Sequence, residues 1–239
     1  MNKLTSVAGR GISALALGLA LVGCGGSDSS TEASTSTSTT SAAEETSTTE
    51  ETTTEEAEPT TPAEAAGPNQ TIQDYVKENG FQETVIKRGD PGPTVNLPVP
   101  EGWQQTDELP EAPYGAIVYP ASAVPNNPPR ILALMSKLTG DVDPEEILNY
   151  APGELQNMPG WAGNEGQRNQ LGGFESFQIG GTYEIDGVKG MIAQKTVVIP
   201  ADDGVFVLQL NAYSDESEAE ILSSATQIID DQTTITTTP

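Results

Sequence analysis

Histidine is absent from this 239-residue chain, cysteine occurs once, and aromatic residues make up only 5% of it. Without histidine, the chain cannot build a Ser-His-Asp or Cys-His catalytic group or a histidine-ligated metal centre. A single cysteine cannot form an internal disulfide or a cysteine-rich zinc site. The sequence therefore predicts no catalytic residue, no metal site and no cofactor, and the protein is not expected to be an enzyme.

Positive charge is also scarce, with 10 Lys and Arg residues against 35 Asp and Glu residues and a formal net charge of −25. Binding to the backbone of a nucleic acid depends on Lys and Arg, so a nucleic-acid partner is not expected. Attachment to an anionic membrane through a basic surface is excluded for the same reason.

The N-terminal residues 1–23 have the pattern of a lipoprotein signal peptide. Two positive charges and no acid precede the apolar run Ile12–Val22, which is shorter than the ~20 residues that a membrane-spanning helix needs. A charged start, a short apolar run and small residues before a cut are typical of secretory signals. Leu21-Val22-Gly23-Cys24 resembles a bacterial lipobox, which predicts cleavage before Cys24 and acylation of Cys24, palmitate being one such chain. The alternative is an uncleaved short anchor with an incidental cysteine.

A lipidated Cys24 predicts a protein held in the cell membrane by its acyl chains, facing the periplasm or the exterior of the envelope. Residues 24–68 follow as a Ser-, Thr- and Glu-rich segment with no aromatic residue, Lys or Arg. Such a composition cannot bury enough apolar surface to offset the entropy of ordering, which predicts a disordered linker. Residues 69–239 remain and suit a single domain.

Within that domain, the patterns predict both helices and strands. A helix capped by Thr71 ends at Gly80, and a second helix begins at Asp143 and is ended or kinked by Pro152. Asp186-Gly187 lies between runs of alternating apolar residues and predicts a two-residue hairpin. A further turn at 202–204 makes this region a three-stranded antiparallel meander.

A last helix is expected to begin at Ser214 or Ser217, where Ser217 and Glu220 fit a capping box. Its buried stripe would consist of Ala219, Leu222, Ala225 and Ile229. The predicted fold class is α+β: an antiparallel β-sheet with helices packed on its faces, preceded by the signal peptide and the disordered linker.

Few positions suggest chemistry. Asp141 and Asp143 form an Asp-x-Asp pair, but no further ligands follow at calcium-loop spacing, so a turn and a helix cap are favoured. Gly180-Gly181 inside a strand indicates a β-bulge or, less favoured, a close approach by another backbone or a ligand.

Three large apolar side chains are candidates for lining a ligand pocket. Trp161 follows Pro159-Gly160 in a loop, where an aromatic ring can line a pocket or cap the core. Met135 and Met158 could soften an apolar cavity, although filling the core is the better-supported role for both.

Several segments of the domain resemble the mycobacterial LpqN/LpqT lipoproteins, and the resemblance runs from about Asn69 to Thr236 and includes the lipobox. The segments that carry it are Thr71-Ile-Gln-Asp-Tyr, Lys87-Arg-Gly-Asp-Pro-Gly, Leu97-Pro-Val-Pro-Glu-Gly-Trp, Tyr114-Gly-Ala-Ile-Val-Tyr, Leu134-Met-Ser-Lys-Leu-Thr-Gly, Gly153-Glu-Leu-Gln-Asn-Met-Pro-Gly, Ala193-Gln-Lys-Thr-Val-Val-Ile-Pro and Leu208-Gln-Leu-Asn-Ala. The resemblance implies a PsbP-like fold, no known enzymatic activity and no cofactor. It also implies a link to cell-envelope biogenesis through mycolate-bearing trehalose glycolipids and the MmpL-type transporters that export them.

Two functions are therefore expected. The first is a membrane-anchored, non-enzymatic accessory or binding protein, with an envelope glycolipid or an MmpL-type transporter as its partner. The alternative is a protein-interaction module of the cell surface with no small-molecule ligand, including a host-directed form. A hydrolase that uses Ser or acids without histidine is disfavoured, because no polar cluster of that kind is evident.

Overall fold

The computed structural model describes residues 67–185 and 187–237. The predicted signal peptide, Cys24 and most of the predicted linker lie outside these residues. The strands, in chain order, are β1 (Gln82–Ile86), β2 (Thr94–Asn96), β3 (Gln104–Thr106), β4 (Gly115–Val118), β5 (Arg130–Thr139), β6 (Ala162–Gly163), β7 (Gln167–Leu171), β8 (Phe174–Ile185), β9 (Val188–Ala201), β10 (Gly204–Asp215) and β11 (Thr234–Thr236). The helices are α1 (Ile72–Asn79), α2 (Pro144–Tyr150), α3 (Gly153–Gln156) and α4 (Ala219–Gln232).

The main sheet is antiparallel, with the order β3-β4-β5-β10-β9-β8-β6. Strand β1 lies beside β5 where β4 ends, and β7 lies beside β8 next to β6. The meander predicted from the sequence is β8-β9-β10, in which Ile185 pairs with Val188 and Gly204 pairs with Ala201. Strands β2 and β11 form a separate two-stranded sheet.

Helices cover both faces of the main sheet, as the sequence predicted. Alternate residues of β5, β9 and β10 pack against the stripe of α4 formed by Leu222, Ala225 and Ile229. The opposite residues of the sheet pack against α1 and α2 through Tyr75, Val76, Ile147 and Leu148. Helix α3 lies on this second face, where Leu155 packs against Ile179 and Ile192. The α+β fold class is confirmed.

The start of α4 differs from its prediction. The chain forms a 3-10 helix at Glu216–Glu218 before α4 begins at Ala219. Asp215 caps this turn, because its carboxylate accepts the Ser217 N–H at 2.9 Å and the Ser217 hydroxyl at 2.6 Å. These hydrogen bonds lower the pKa of Asp215. The capping box expected between Ser217 and Glu220 is therefore wrong: the Ser217 hydroxyl is a donor to Asp215.

The start of α1 is as predicted. The Thr71 hydroxyl accepts the Asp74 N–H at 3.1 Å, and the Asp74 carboxylate accepts the Thr71 N–H at 2.9 Å. Hydrogen bonds from the side chain and then the backbone of Thr71 hold the pKa of Asp74 below its ordinary value. The capping box is thus strongest when Asp74 is ionised.

This cap predicts a contribution to acid sensitivity. The pKa of Asp74 is lower in the folded state than in the unfolded chain, so the unfolded chain binds more protons below about pH 4. The free energy of unfolding therefore decreases as the pH is lowered through this range. Asp74→Asn should reduce this dependence without removing it, because Asp203 and Asp215 also have lowered pKa values. Urea denaturation at pH 7, 4 and 3 measures the effect, and an unchanged dependence on pH would contradict it.

Candidate functional site

A cleft of about 490 Å³ lies between the first half of α4 and strands β8 and β9. Its floor is low because Gly180 and Ala193, which pair across β8 and β9, carry almost no side chain. A methyl group added at Gly180 would approach only the neighbouring strand, at 3.3 Å from the Ile192 carbonyl oxygen. The small residues of the floor therefore leave open the space beside α4.

The outer rim of the cleft is the connection between β6 and β7. The Asn164 side-chain oxygen accepts the Gly166 N–H at 2.9 Å and the Gly180 N–H at 3.3 Å. The Asn164 N–H in turn donates to the Gly180 carbonyl at 3.1 Å. These bonds hold the rim against the edge of β8. They lie between the part of β8 that pairs with β7 and the part that pairs with β6.

The walls combine uncharged polar groups with apolar ones. Gln167 and Gln178 provide amides, and Ser223 and Thr226 of α4 provide hydroxyls, while the apolar part consists chiefly of Met191 and Leu222. Among the described residues, none that lines the cleft carries a charge. Amides and hydroxyls both donate and accept hydrogen bonds, so these walls suit a ligand rich in hydroxyl groups.

The cleft continues inward into a cavity of about 30 Å³ under the middle of α4. Gln178, Ala193 and Thr226 line both spaces. Ile131, Leu210, Ala212 and Ile229 contribute apolar groups to the inner walls, and Gln194, Lys195 and Asp230 contribute polar and charged ones. The inner space is therefore small and mixed in character, with room for about one water molecule.

A buried ion pair closes the inner end. The ammonium of Lys195 on β9 donates to a carboxylate oxygen of Asp230 on α4. Lys195 is only 5% exposed, so Asp230 neutralises a charge that has little contact with water. The pair also joins α4 to the sheet beside the cleft.

The opposite face of the same strands carries a second polar group. The Glu154 carboxylate on α3 accepts the side-chain amides of Gln194 at 2.9 Å and Gln209 at 3.3 Å. These bonds, together with the burial of Leu155, hold α3 on the sheet and position the loop that follows it.

The structure places the predicted pocket residues apart from the cleft. Met135 is buried in the core between the sheet and α4. Met158 and Trp161 are half-buried and pack on the opposite face, against Leu155, Ile179 and Ile192. None of the three lines the cleft, and contact between a ligand and these side chains stays a prediction.

Gly180-Gly181 was the one sequence signal that points to the cleft. The expected bulge is wrong, because β8 and β9 pair without interruption from Ser176–Val197 to Ile185–Val188. The less favoured alternative holds: β6 passes so close that a methyl group on Gly181 would collide with the Cα of Gly163. The polar residues of the walls gave no signal, because isolated Gln, Ser and Thr are common on any surface.

The Asp-x-Asp pair has a structural role, as favoured from the sequence. The Asp143 carboxylate accepts the Glu145 N–H at 2.9 Å and caps α2. Within residues 67–185 and 187–237, no group of three or more acidic or Cys side chains is arranged to hold a metal. No helix in the same part of the chain is long and apolar enough to cross a membrane.

Residues 68–236 match the model of a protein family described as "Probable lipoprotein LpqN". The chain belongs to the LpqN lipoprotein family. The resemblance proposed from the sequence is thereby confirmed, and family membership implies a membrane-anchored location in the cell envelope.

Individual relatives agree with this assignment. The chain is 53% identical over 175 residues to lipoprotein LpqN of Mycobacterium tuberculosis H37Rv, an alignment that covers 72% of this chain and 77% of LpqN. It is 24% identical over 168 residues to a proline-rich 28 kDa antigen homolog of Mycobacterium leprae, covering 69% of this chain and 60% of that protein. The crystal structure of Mycobacterium tuberculosis LpqN, described as involved in cell envelope biogenesis, matches with a TM-score of 0.69 over 71% of this chain and 99% of that one.

Proposed function

We propose that this protein is an envelope lipoprotein that binds an uncharged glycolipid in the α4 cleft, as a non-enzymatic accessory in envelope biogenesis or transport. The observation that carries the proposal is the cleft itself, whose uncharged walls combine amides and hydroxyls with the apolar side chains of Met191 and Leu222. A glycolipid likewise combines a hydroxyl-rich headgroup with apolar acyl chains.

The lining suits each part of such a ligand. Sugar hydroxyls both donate and accept hydrogen bonds, as do the amides of Gln167 and Gln178 and the hydroxyls of Ser223 and Thr226. Met191 can adapt its flexible, polarizable side chain to an acyl chain. A trehalose glycolipid bearing a mycolate, the class implied by the family resemblance, has both parts.

The charge distribution favours an uncharged headgroup over an anionic one. The chain carries a net charge of −25, and the cation nearest the inner end, Lys195, is already paired with Asp230. An anionic headgroup would be repelled by the domain as a whole and would have to compete with Asp230 for Lys195.

Membrane attachment is proposed to occur through Cys24 after removal of residues 1–23, which places the domain on the periplasmic or exterior side. The family match begins at residue 68, which supports a boundary between the linker 24–68 and the domain 69–239. The relative from Mycobacterium tuberculosis is described as involved in cell envelope biogenesis. An MmpL-type exporter of the glycolipid is the proposed protein partner.

A non-enzymatic role is supported by the side chains of the cleft. Ser223 and Thr226 are its hydroxyl groups, and among its described lining residues none is a base that could activate them. The chain contains no histidine to serve this purpose.

Adjacent serines on α4 allow a matched test of the cleft. Ser223 lines it, whereas the exposed Ser224 donates to the Glu220 carbonyl on the same helix. Ser223→Phe should block the mouth and weaken binding of a synthetic short-chain trehalose monoester at least ~10-fold, which corresponds to a loss of about 1.4 kcal/mol. Ser224→Phe should bind as the parent chain does. Isothermal titration calorimetry measures both.

Equal affinities of Ser223→Phe and Ser224→Phe for the trehalose monoester would show that this ligand does not bind in the cleft. Native mass spectrometry of the protein purified gently from its own envelope provides an independent result. A co-purifying glycolipid of matching mass supports the proposal. A chain that carries no glycolipid and shows no calorimetric binding overturns it in favour of the protein-interaction module.

A further inference from the structure

An apolar surface lies at the tip of the β8–β9 hairpin, on the sheet face opposite α4. We call it the tip patch and define it by Met158, Trp161, Tyr183, Ile185 and Val188. Ile185 is 39% exposed and Val188 is 44% exposed, whereas Met158, Trp161 and Tyr183 are half-buried. Large apolar side chains at a protruding hairpin tip need an explanation other than core packing, because they add little to the core.

Pairing and loop contacts make the tip patch continuous. Ile185 pairs with Val188, and Tyr183 pairs with Gly190, so these side chains lie on one face. The Tyr183 ring extends over Gly190, where an added methyl group would lie 2.6 Å from the ring. The Glu184 N–H donates to the Pro159 carbonyl at 3.0 Å, which fixes the loop bearing Met158 and Trp161 beside the hairpin.

The composition of the tip patch matches the interface between lipid and water. Trp and Tyr have an apolar body and one polar end, and they are enriched where membrane proteins meet the headgroups. Ile185 and Val188 flank the turn at 186–187, which contains Asp186, so they reach the headgroup level beside those rings. None of the five defining side chains is charged, and the neighbouring Glu184 and Lys189 pair on the opposite face of the hairpin.

The N-terminal segment enters the domain beside this patch. The backbone N–H and side-chain amide of Asn69 donate to the Asn157 side-chain oxygen at 3.0 and 3.1 Å, and the Asn157 amide donates to the Asn69 carbonyl at 2.8 Å. Asn157 immediately precedes Met158. The attachment to Cys24 therefore leaves the domain at the end that carries the tip patch.

The length of that attachment favours its own membrane as the partner. The linker predicted from the sequence includes the 42 residues 25–66, and an unordered chain of that length averages about 35 Å from end to end. A tether of this reach keeps the patch at an effective concentration of order millimolar relative to the lipid surface. Weak apolar docking is then sufficient to orient the domain.

We propose that the tip patch docks onto the lipid surface in which Cys24 is anchored. This inference rests on the proposed Cys24 anchor and extends the proposed function. The same hairpin forms the floor of the cleft on its other face, and Met191 lies three residues along β9 from Val188, which is about 10 Å. Docking of the tip therefore brings the cleft mouth close to the lipid, where an acyl chain can pass between bilayer and protein without crossing bulk water.

The tryptophans provide a direct test. The mature, lipidated chain is reconstituted in phosphatidylcholine vesicles whose lipids include a brominated phosphatidylcholine, a quencher of tryptophan fluorescence. Trp161 should be quenched, whereas Trp103, which is only 7% exposed and lies in the core, should not be. Trp161→Phe should remove the quenchable signal and leave the emission of Trp103.

Charged substitutions at the tip should prevent docking. Ile185 and Val188 are each about two-fifths exposed, so withdrawing the exposed part of either one from water favours docking by about 3- to 8-fold in the ratio of docked to free domain. Ile185→Asp and Val188→Asp should each lower Trp161 quenching to the level in vesicles without brominated lipid. Val85→Asp and Val99→Asp are matched controls, because these valines are also exposed but lie outside the tip patch, and they should leave quenching unchanged.

Vesicle flotation separates this proposal from the anchor on which it rests. A Cys24→Ser chain produced without residues 1–23 that floats with the vesicles as the parent chain does would overturn the anchor. A parent chain that floats with the vesicles but shows no Trp161 quenching would overturn docking and leave the anchor intact. Concentration-dependent dimerisation without vesicles, abolished by Ile185→Asp, would show that the tip patch binds a second copy and would also overturn docking.

Discussion

Asp230→Ala is expected to lower the free energy of unfolding by about 3 kcal/mol, because it leaves the Lys195 ammonium buried without a partner. The Lys195 side chain is 6% exposed, so solvent can replace little of what Asp230 provides. Asp230 itself is partly exposed, which keeps the expected loss at the lower end for a buried pair. Urea denaturation at pH 7 measures the change.

Two further variants make this expectation specific. Lys137 and Asp203 form an exposed pair at 2.8 Å, so Asp203→Ala should cost less than about 1 kcal/mol. The double variant Lys195→Met and Asp230→Leu should regain most of the lost stability, since neither charge remains to be desolvated. A single Asp230→Ala variant as stable as the parent chain would contradict a structural role for the pair.

Leu208→Ala should have a larger effect, a loss of about 4 kcal/mol in the free energy of unfolding. Leu208 is 0% exposed and lies in β10, the strand between β5 and β9. It belongs to the core that packs against α4, and strands on both sides prevent the cavity left by the truncation from collapsing. Denaturation in urea with an unchanged slope would show that stability alone has changed.

A truncated valine at the surface is the control for this result. Val85 is 55% exposed on β1, and Val85→Ala should change the free energy of unfolding by no more than about 0.5 kcal/mol. Similar losses in the two variants would mean that β10 does not form the centre of the core.

The parts of the fold that could be predicted are those specified by local patterns. Gly187 has the positive φ of 78° that the tight turn between β8 and β9 requires, and the apolar stripe of α4 repeats at helical spacing. Thr71 and Gly80 mark the ends of α1 through their own capping bonds. Each of these signals depends on residues close together in the chain.

The parts that could not be predicted depend on distant neighbours. Strand β7 is largely exposed and polar, and it is a strand because β8 offers it an edge to pair with. The cleft draws on the β6–β7 connection, β7, β8, β9 and α4, whose residues meet only after the sheet has formed. Likewise, Asp215 and not Ser217 is the capping residue, because a 3-10 turn forms before α4 and Asp215 stands at its start.

The paired hydrogen bonds between Asn69 and Asn157 also have a mechanical consequence. Tension applied to the N-terminal segment would reach Asn69 before α1, and three bonds at 2.8 to 3.1 Å would share it with Asn157 at the end of α3. Helix α1 begins only at Ile72, beyond this junction. The domain can therefore be pulled from its N-terminal side without the first helix being the first element to unwind.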